Sequence, residues 1–296
     1  PDFMGKIKAI QNFTEEPDAE DTNGHGSHVA GIAAGRGAAS HGRYQGISPE
    51  SGLIIAKVFD ASGSAQTSKI LSAMQWAYEQ RAQVMNLSLG NSMTPTDGQS
   101  LLSRACDRLA ELGMVVCVSA GNSGPGEGTI TTPGDAARAI CVGAVDKHKA
   151  LAYFSSRGPT DMPHLTGDKP DIVAPGVEII AARASQSTLP PVDHLPEYAM
   201  LSGTSMSAPM ITGVCALIIS YGYFLEMPTT PEIIRTLLAG NAEPLDYTHH
   251  EQGRGFARGG RVLQAMRQQR LSTEETRRSK DRQMEWIGRY NVLECI

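Results

Sequence analysis

Four largely apolar runs of strand length recur along the first half of the chain: Leu53 to Phe59, Val84 to Leu89, Met114 to Ser119 and Ala139 to Val145. They are continuous rather than alternating, the pattern of strands covered on both faces. Two stretches of helical period lie between them. In 68–81, Ile70, Leu71, Met74 and Ala77 recur at helical spacing, with Tyr78 beside them. In 98–112, Leu101, Leu102, Ala105 and Leu109 do the same, and Gly113 supplies the stop. Alternating strand and helix predict an α/β fold with a mostly parallel central sheet, right-handed crossovers and flanking helices.

The second half is dominated by a helix predicted over 205–220. Its body (Met210, Ile211, Val214, Cys215, Leu217, Ile218 and Ile219) is apolar on most faces, as suits the centre of a large protein. A further helix is expected to start near Thr230, with Pro231 first and Glu232 beside it, and to run to Leu238. One more is read over 261–269. No internal repeat appears. The Pro- and Ser-rich stretch 184–196 joins pieces that both read as core, so we expect one domain over 1–269 and a charged extension over 270–296.

Composition narrows the function classes. The chain has 296 residues, enough for a sizeable core, and 31 glycines and 17 prolines imply many turns. The formal charge is -5, and no basic stripe interleaves with aromatics, which argues against nucleic acid as a partner. No run reaches the length of a membrane span, and no signal peptide is read. Of the five cysteines, four (Cys106, Cys117, Cys141 and Cys215) sit in apolar surroundings and read as small buried hydrophobes. The odd count leans towards a reducing compartment, favouring the cytoplasm slightly over secretion.

Three clusters carry candidate chemistry. Asn23-Gly24-His25-Gly26-Ser27-His28-Val29-Ala30-Gly31 places two histidines three apart among small residues. They read as structural histidines at a helix start, or as a base beside a bound substrate; a metal site would need a third ligand, and HExxH is absent. Ser119-Ala120-Gly121-Asn122-Ser123-Gly124 follows an apolar strand directly, where α/β sheets bind ligands. Asn122 there is either part of a plain turn or a donor to an oxyanion. In Ser202-Gly203-Thr204-Ser205-Met206-Ser207-Ala208-Pro209, a hydroxyl either caps the apolar helix or, at Ser205, sits by orphan N–H groups that favour negative charge. Pro209 is near enough to the helix start for its missing N–H to cost little. The Gly-x-Ser-x-Gly elbow is not matched, and His25 precedes the serine, opposite to the α/β-hydrolase order. Gly253-Arg254-Gly255-Phe256 lacks the strand–turn–helix of a dinucleotide site.

Together the three clusters resemble the subtilisin-like serine peptidases, nearest to the bacterial AprX-type intracellular branch. The resemblance implies His25 as general base, Ser205 as nucleophile and Asn122 as oxyanion donor, on a three-layer subtilisin-like fold. Asn86-Leu87-Ser88-Leu89-Gly90, Phe154-Ser155-Ser156-Arg157-Gly158-Pro159, Lys169-Pro170-Asp171-Ile172-Val173-Ala174-Pro175-Gly176 and Gly253-Arg254-Gly255-Phe256 extend it over about residues 1–266. Ser88, Leu89 and Gly90 are then expected to bind an extended peptide or protein substrate, and Ser119, Ala120 and Gly121 to wall a roomy slot for an apolar residue before the scissile bond. No cofactor is required. The resemblance implies structural calcium in loops as an option; the 35–46 stretch contains no carboxylate for a dedicated site, which leaves Asp or backbone oxygens elsewhere.

One part of the family pattern is not found. The catalytic aspartate sits, in that pattern, in an Asp-Thr-Gly or Asp-Ser-Gly run ending a strand ahead of the histidine motif. Asp18 and Asp21 precede His25 without that context, and Asp2 matches a later stretch. The expectation is therefore a zymogen-like, autoprocessed protease with an N-terminal fragment or propeptide bound to it that carries strand and aspartate. The alternative is a catalytically inactive subtilase acting as a binding or regulatory module.

Overall fold

The computed structural model describes residues 1–162 and 169–273. Of the charged extension expected over 270–296, residues 270–273 belong to the last described helix, and 274–296 lie outside the described residues.

In chain order the elements are β1 (Ile7–Asn12), α1 (His25–Ala34), β2 (Leu53–Lys57), α2 (Thr67–Glu79), β3 (Val84–Leu87), α3 (Leu101–Glu111), β4 (Val115–Ser119), β5 (Ile140–Val145), β6 (Ile172–Pro175), β7 (Ile179–Ala182), β8 (Pro191–Val192), β9 (Leu195–Leu201), α4 (Thr204–Leu225), α5 (Pro231–Asn241) and α6 (His249–Gln252). Residues 259–273 are helical as well.

β3, β4, β5 and β6 form a parallel sheet in that order. Successive residues of β4 point to opposite faces. Val115 and Cys117 join the core under α4, α5 and the 259–273 helix, while Val116 and Val118 join the core under α2 and α3. All residues of β4 and β5 are buried, which is why their sequences are largely apolar runs. The result is helix, sheet, helix.

α4 runs five residues beyond the predicted end, and Glu226 terminates it in the left-handed region. It is long and apolar enough to cross a membrane, but it packs along β3, β4, β5, β6 and α1. Its apolar surround is that of a core helix.

β1 and β2 form a separate parallel pair. Among the described residues, β2 pairs only with β1 and β3 only with β4, so each keeps an unpaired edge. The two edges lie under shared helices: α2 packs on β2 and contributes Ile70 and Met74 to the core around Met85 and Leu87 of β3. On the other side, α1 touches β2 and packs on α4, which covers β3. Every residue of β2 is only half-buried, unlike β4 and β5. The apolar run at 53–59 predicts a strand covered on both sides, and in the structure it is not.

Candidate active site

His25 opens α1. The glycine-rich sequence His25-Gly26-Ser27-His28-Val29-Ala30-Gly31 has poor intrinsic helix propensity, so this helix depends on its caps and packing. Asp21 supplies the cap: its carboxylate accepts from Gly24 N–H at 2.7 Å and from Ser27 N–H at 2.7 Å. Both oxygens are engaged with backbone donors, which makes Asp21 a capping residue. Gly24 bends the chain into the helix at φ 97, and a Cβ there would lie 2.6 Å from Ser187 Cβ. Burial pushes the His25 imidazole below its usual value, opposed by the nearby Asp21 charge.

His28, fully buried, is the structural histidine of the pair. Its Nε2 lies 3.0 Å from Ile179 O and 3.1 Å from Ala199 O, so it carries the proton and ties α1 to β7 and β9. Burial pushes it down to about 4.

Ser205 is the second residue of α4 and is half-buried. α1 and α4 pack through small residues, and a Cβ on Gly213 would lie 2.9 Å from Ala33 O. Ile32 and Val29 of α1 share a cluster with Met206 and Met210 of α4. The two helices thus pack closely on each other. Ala33 and Gly213, which meet at this contact, each stand eight residues beyond His25 and Ser205 in their own helices.

Asn122 is exposed just after β4. Its Oδ1 accepts from Thr204 N–H at 2.9 Å and from Thr204 Oγ1 at 3.0 Å, which turns Nδ2 away as the free donor arm of the amide. Thr204 Oγ1 in turn accepts from Gly121 N–H at 3.1 Å. Ser156 steadies the same loop: its N–H donates to Gly121 O at 3.0 Å, and its Oγ accepts from Ser123 N–H at 3.0 Å.

The candidate substrate segments are joined to each other. Ser119 Oγ donates to Leu89 O at 3.4 Å, Thr131 N–H to Ala120 O at 2.9 Å, and Asn91 and Thr132 exchange backbone bonds. Ser88 and Leu89 are half-buried and Gly90 exposed, following the end of β3. The Ala120 side chain turns inward against Ile130 and Cys141. Ala120 is fully buried, so its smallness serves the core.

Thr204, Ser156 and Asp21 had no sequence-level role beyond their motifs. Thr204 and Asn122 are 82 residues apart, so the contact that orients the amide leaves no local trace. Among the described residues, no group of three or more His, Cys, Asp or Glu side chains gathers as ion ligands.

Two helices that open at a histidine and next to a serine and pack on each other, on a three-layer α/β fold, fit one family: the chain belongs to the subtilases, whose model matches residues 2–257. It is 36% identical over 265 residues to serine protease AprX of Bacillus subtilis (strain 168), covering 82% of this chain and 58% of that protein. It is 34% identical over 223 residues to the thermophilic serine proteinase of Bacillus sp. (strain AK1), covering 75% and 49%. The major intracellular serine protease of Bacillus subtilis (strain 168) is 33% identical over 267 residues, covering 86% and 76%. The chain thus spans about half the length of the first two relatives. The crystal structure of a cold adapted subtilisin-like serine proteinase superposes with a TM-score of 0.66 at 27% identity, covering 86% of this chain and 81% of that one. The protease domain of PatA shares the fold, with a TM-score of 0.72 at 23% identity and 90% coverage of each chain.

Proposed function

We propose that the chain is the bulk of a serine endopeptidase catalytic domain, working by acyl transfer. The observation that supports this is the packing of α1, which opens at His25, on α4, whose second residue is Ser205, with Asn122 hydrogen-bonded to the neighbouring Thr204. Ser205 Oγ attacks the scissile carbonyl, and His25 takes its proton and later returns it to the leaving amine. The oxyanion is held by Asn122 Nδ2 and the Ser205 N–H, where the positive end of α4 adds its field. An extended peptide lies along Ser88, Leu89 and Gly90 by strand addition, with Ser119, Ala120 and Gly121 opposite. No organic cofactor takes part.

The third member of the triad is proposed to come with a strand that fills the space between β2 and β3. Their unpaired edges and half-buried residues are what support an insertion there. The segment that supplies it carries the aspartate that orients His25, whether as a bound fragment left by self-cleavage or as part of a longer chain. Lacking the carboxylate, the site retains only oxyanion and binding contributions, and kcat falls by roughly 10⁴, the loss seen in a subtilisin.

The test is labelling with a fluorophosphonate, followed by denaturing mass analysis. Ser205 is expected to take the label when an aspartate-bearing segment is in the sample, and the Ser205→Ala variant to take none. An unlabelled Ser205 with that segment demonstrably bound would instead support the second reading, an inactive subtilase whose open sheet edges bind a partner strand.

A further inference from the structure

Pro209 removes a donor that the first turn of α4 needs. In an α-helix the carbonyl of one residue accepts from the N–H four residues on. For Ser205 that residue is Pro209, which has no N–H. The low cost read from the sequence is thus moved onto the carbonyl of the very residue whose hydroxyl is the proposed nucleophile.

Another element supplies the donor. Ser88 Oγ, just past β3, donates to Ser205 O at 2.8 Å. Behind it, Asn86 Nδ2 donates to Ser88 Oγ at 3.0 Å, and Thr212 Oγ1 donates to Asn86 Oδ1 at 3.0 Å. Ala208 O lies 3.1 Å from the same Thr212 Oγ1 and competes for its single proton. Donors point one way along the relay, from Thr212 through Asn86 and Ser88 to the Ser205 carbonyl. It begins and ends on α4 and passes through β3, so the strand is tied to the helix at two heights. Asn86 has a single geometry that satisfies both neighbours, since its amide must offer Nδ2 to one and Oδ1 to the other.

We infer that Ser88 is a positioning residue: its side chain, separately from the main chain that would meet substrate, holds the first turn of α4 and so sets the height of Ser205 Oγ against His25. The rate consequence rests on the proposed function, but the bond itself does not. A small displacement of a reacting group costs far more rate than binding.

Two measurements on the full protein, with its aspartate-bearing segment, test this. The first is a stability cycle. Ser88→Ala is expected to lower the urea midpoint in the parent. In the Pro209→Ala background its effect is expected to shrink, because the new N–H at that position takes over the Ser205 carbonyl. Equal effects in both backgrounds would overturn the inference. The second is kinetic. Ser88→Ala is expected to lower kcat and the fluorophosphonate labelling rate by about 10-fold or more, with KM on a peptide substrate within about threefold. Ser88→Thr, which keeps the hydroxyl, is expected to restore the rate. A raised KM at unchanged kcat would make Ser88 a substrate contact only. A parent protein that neither cleaves nor labels overturns the proposed function, and the stability cycle, needing no turnover, still decides the Ser88 bond.

Discussion

Asn122 has one arm of its amide committed before any substrate arrives. Thr204 holds Oδ1 with two donors, so Nδ2 is fixed in direction without reorganisation. Asn122→Ala is expected to lower kcat by about 10²–10³-fold with little change in KM, the magnitude being that of an oxyanion-donor deletion in a subtilisin. Steady-state kinetics on a peptide substrate checks it. His28 gives a pH prediction of definite sign. Its folded value lies at about 4, against about 6.5 for the unfolded chain. Between those values the unfolded state binds a proton that the fold refuses, so stability rises with pH across that window and is lost as pH falls through it. The whole span is worth about 3 kcal/mol, read as a shift in urea midpoint that flattens in His28→Gln. The motifs made His25, Asn122 and Ser205 visible as candidates in the sequence. The contacts that orient them were not: Ser88, legible only as a substrate contact, meets Ser205 across 117 positions, and Asp21 acts on the backbone N–H groups of Gly24 and Ser27.

At the scale of elements, legibility followed burial. β4 and β5 are covered on both faces and announce themselves as apolar runs. α4 does the same, and Ile211→Ala or Ile218→Ala, both at fully buried positions, should each cost about 2–5 kcal/mol in chemical denaturation. For α1 the sequence offers only a helix start at the histidines, since its glycines oppose a helix and Asp21 and the contact with α4 are what sustain one. β1 and the β7-β9-β8 sheet carry no apolar run that marks them, because β1 is largely exposed and β8 has two residues, although β8 and β9 pair locally, Val192 with Leu195. β2 is the informative misfit, with a core-strand sequence in a half-open place. Backbone amides of β2 and β3 are expected to exchange faster than those of β4 and β5, and to become protected when the aspartate-bearing segment binds. Hydrogen exchange with and without that segment reads this directly.

Over the whole molecule, the candidate site is produced by how α1 and α4 meet. Gly213 allows that approach, because a Cβ there would also lie 2.5 Å from Ile47 Cβ. Gly213→Val is expected to part the helices and lower kcat by 10-fold or more, on the scale of ~1 Å misplacements, while the core under β4 and β5 stays folded. Circular dichroism alongside kinetics separates the two effects. The proposed insertion of a strand between β2 and β3 has a further consequence. If the orienting carboxylate arrives on the strand that closes the sheet, architecture and chemistry are completed in one association event. Turnover then becomes a saturable function of how much of that strand is supplied, and the molecule reports by its own rate whether it has been fully assembled.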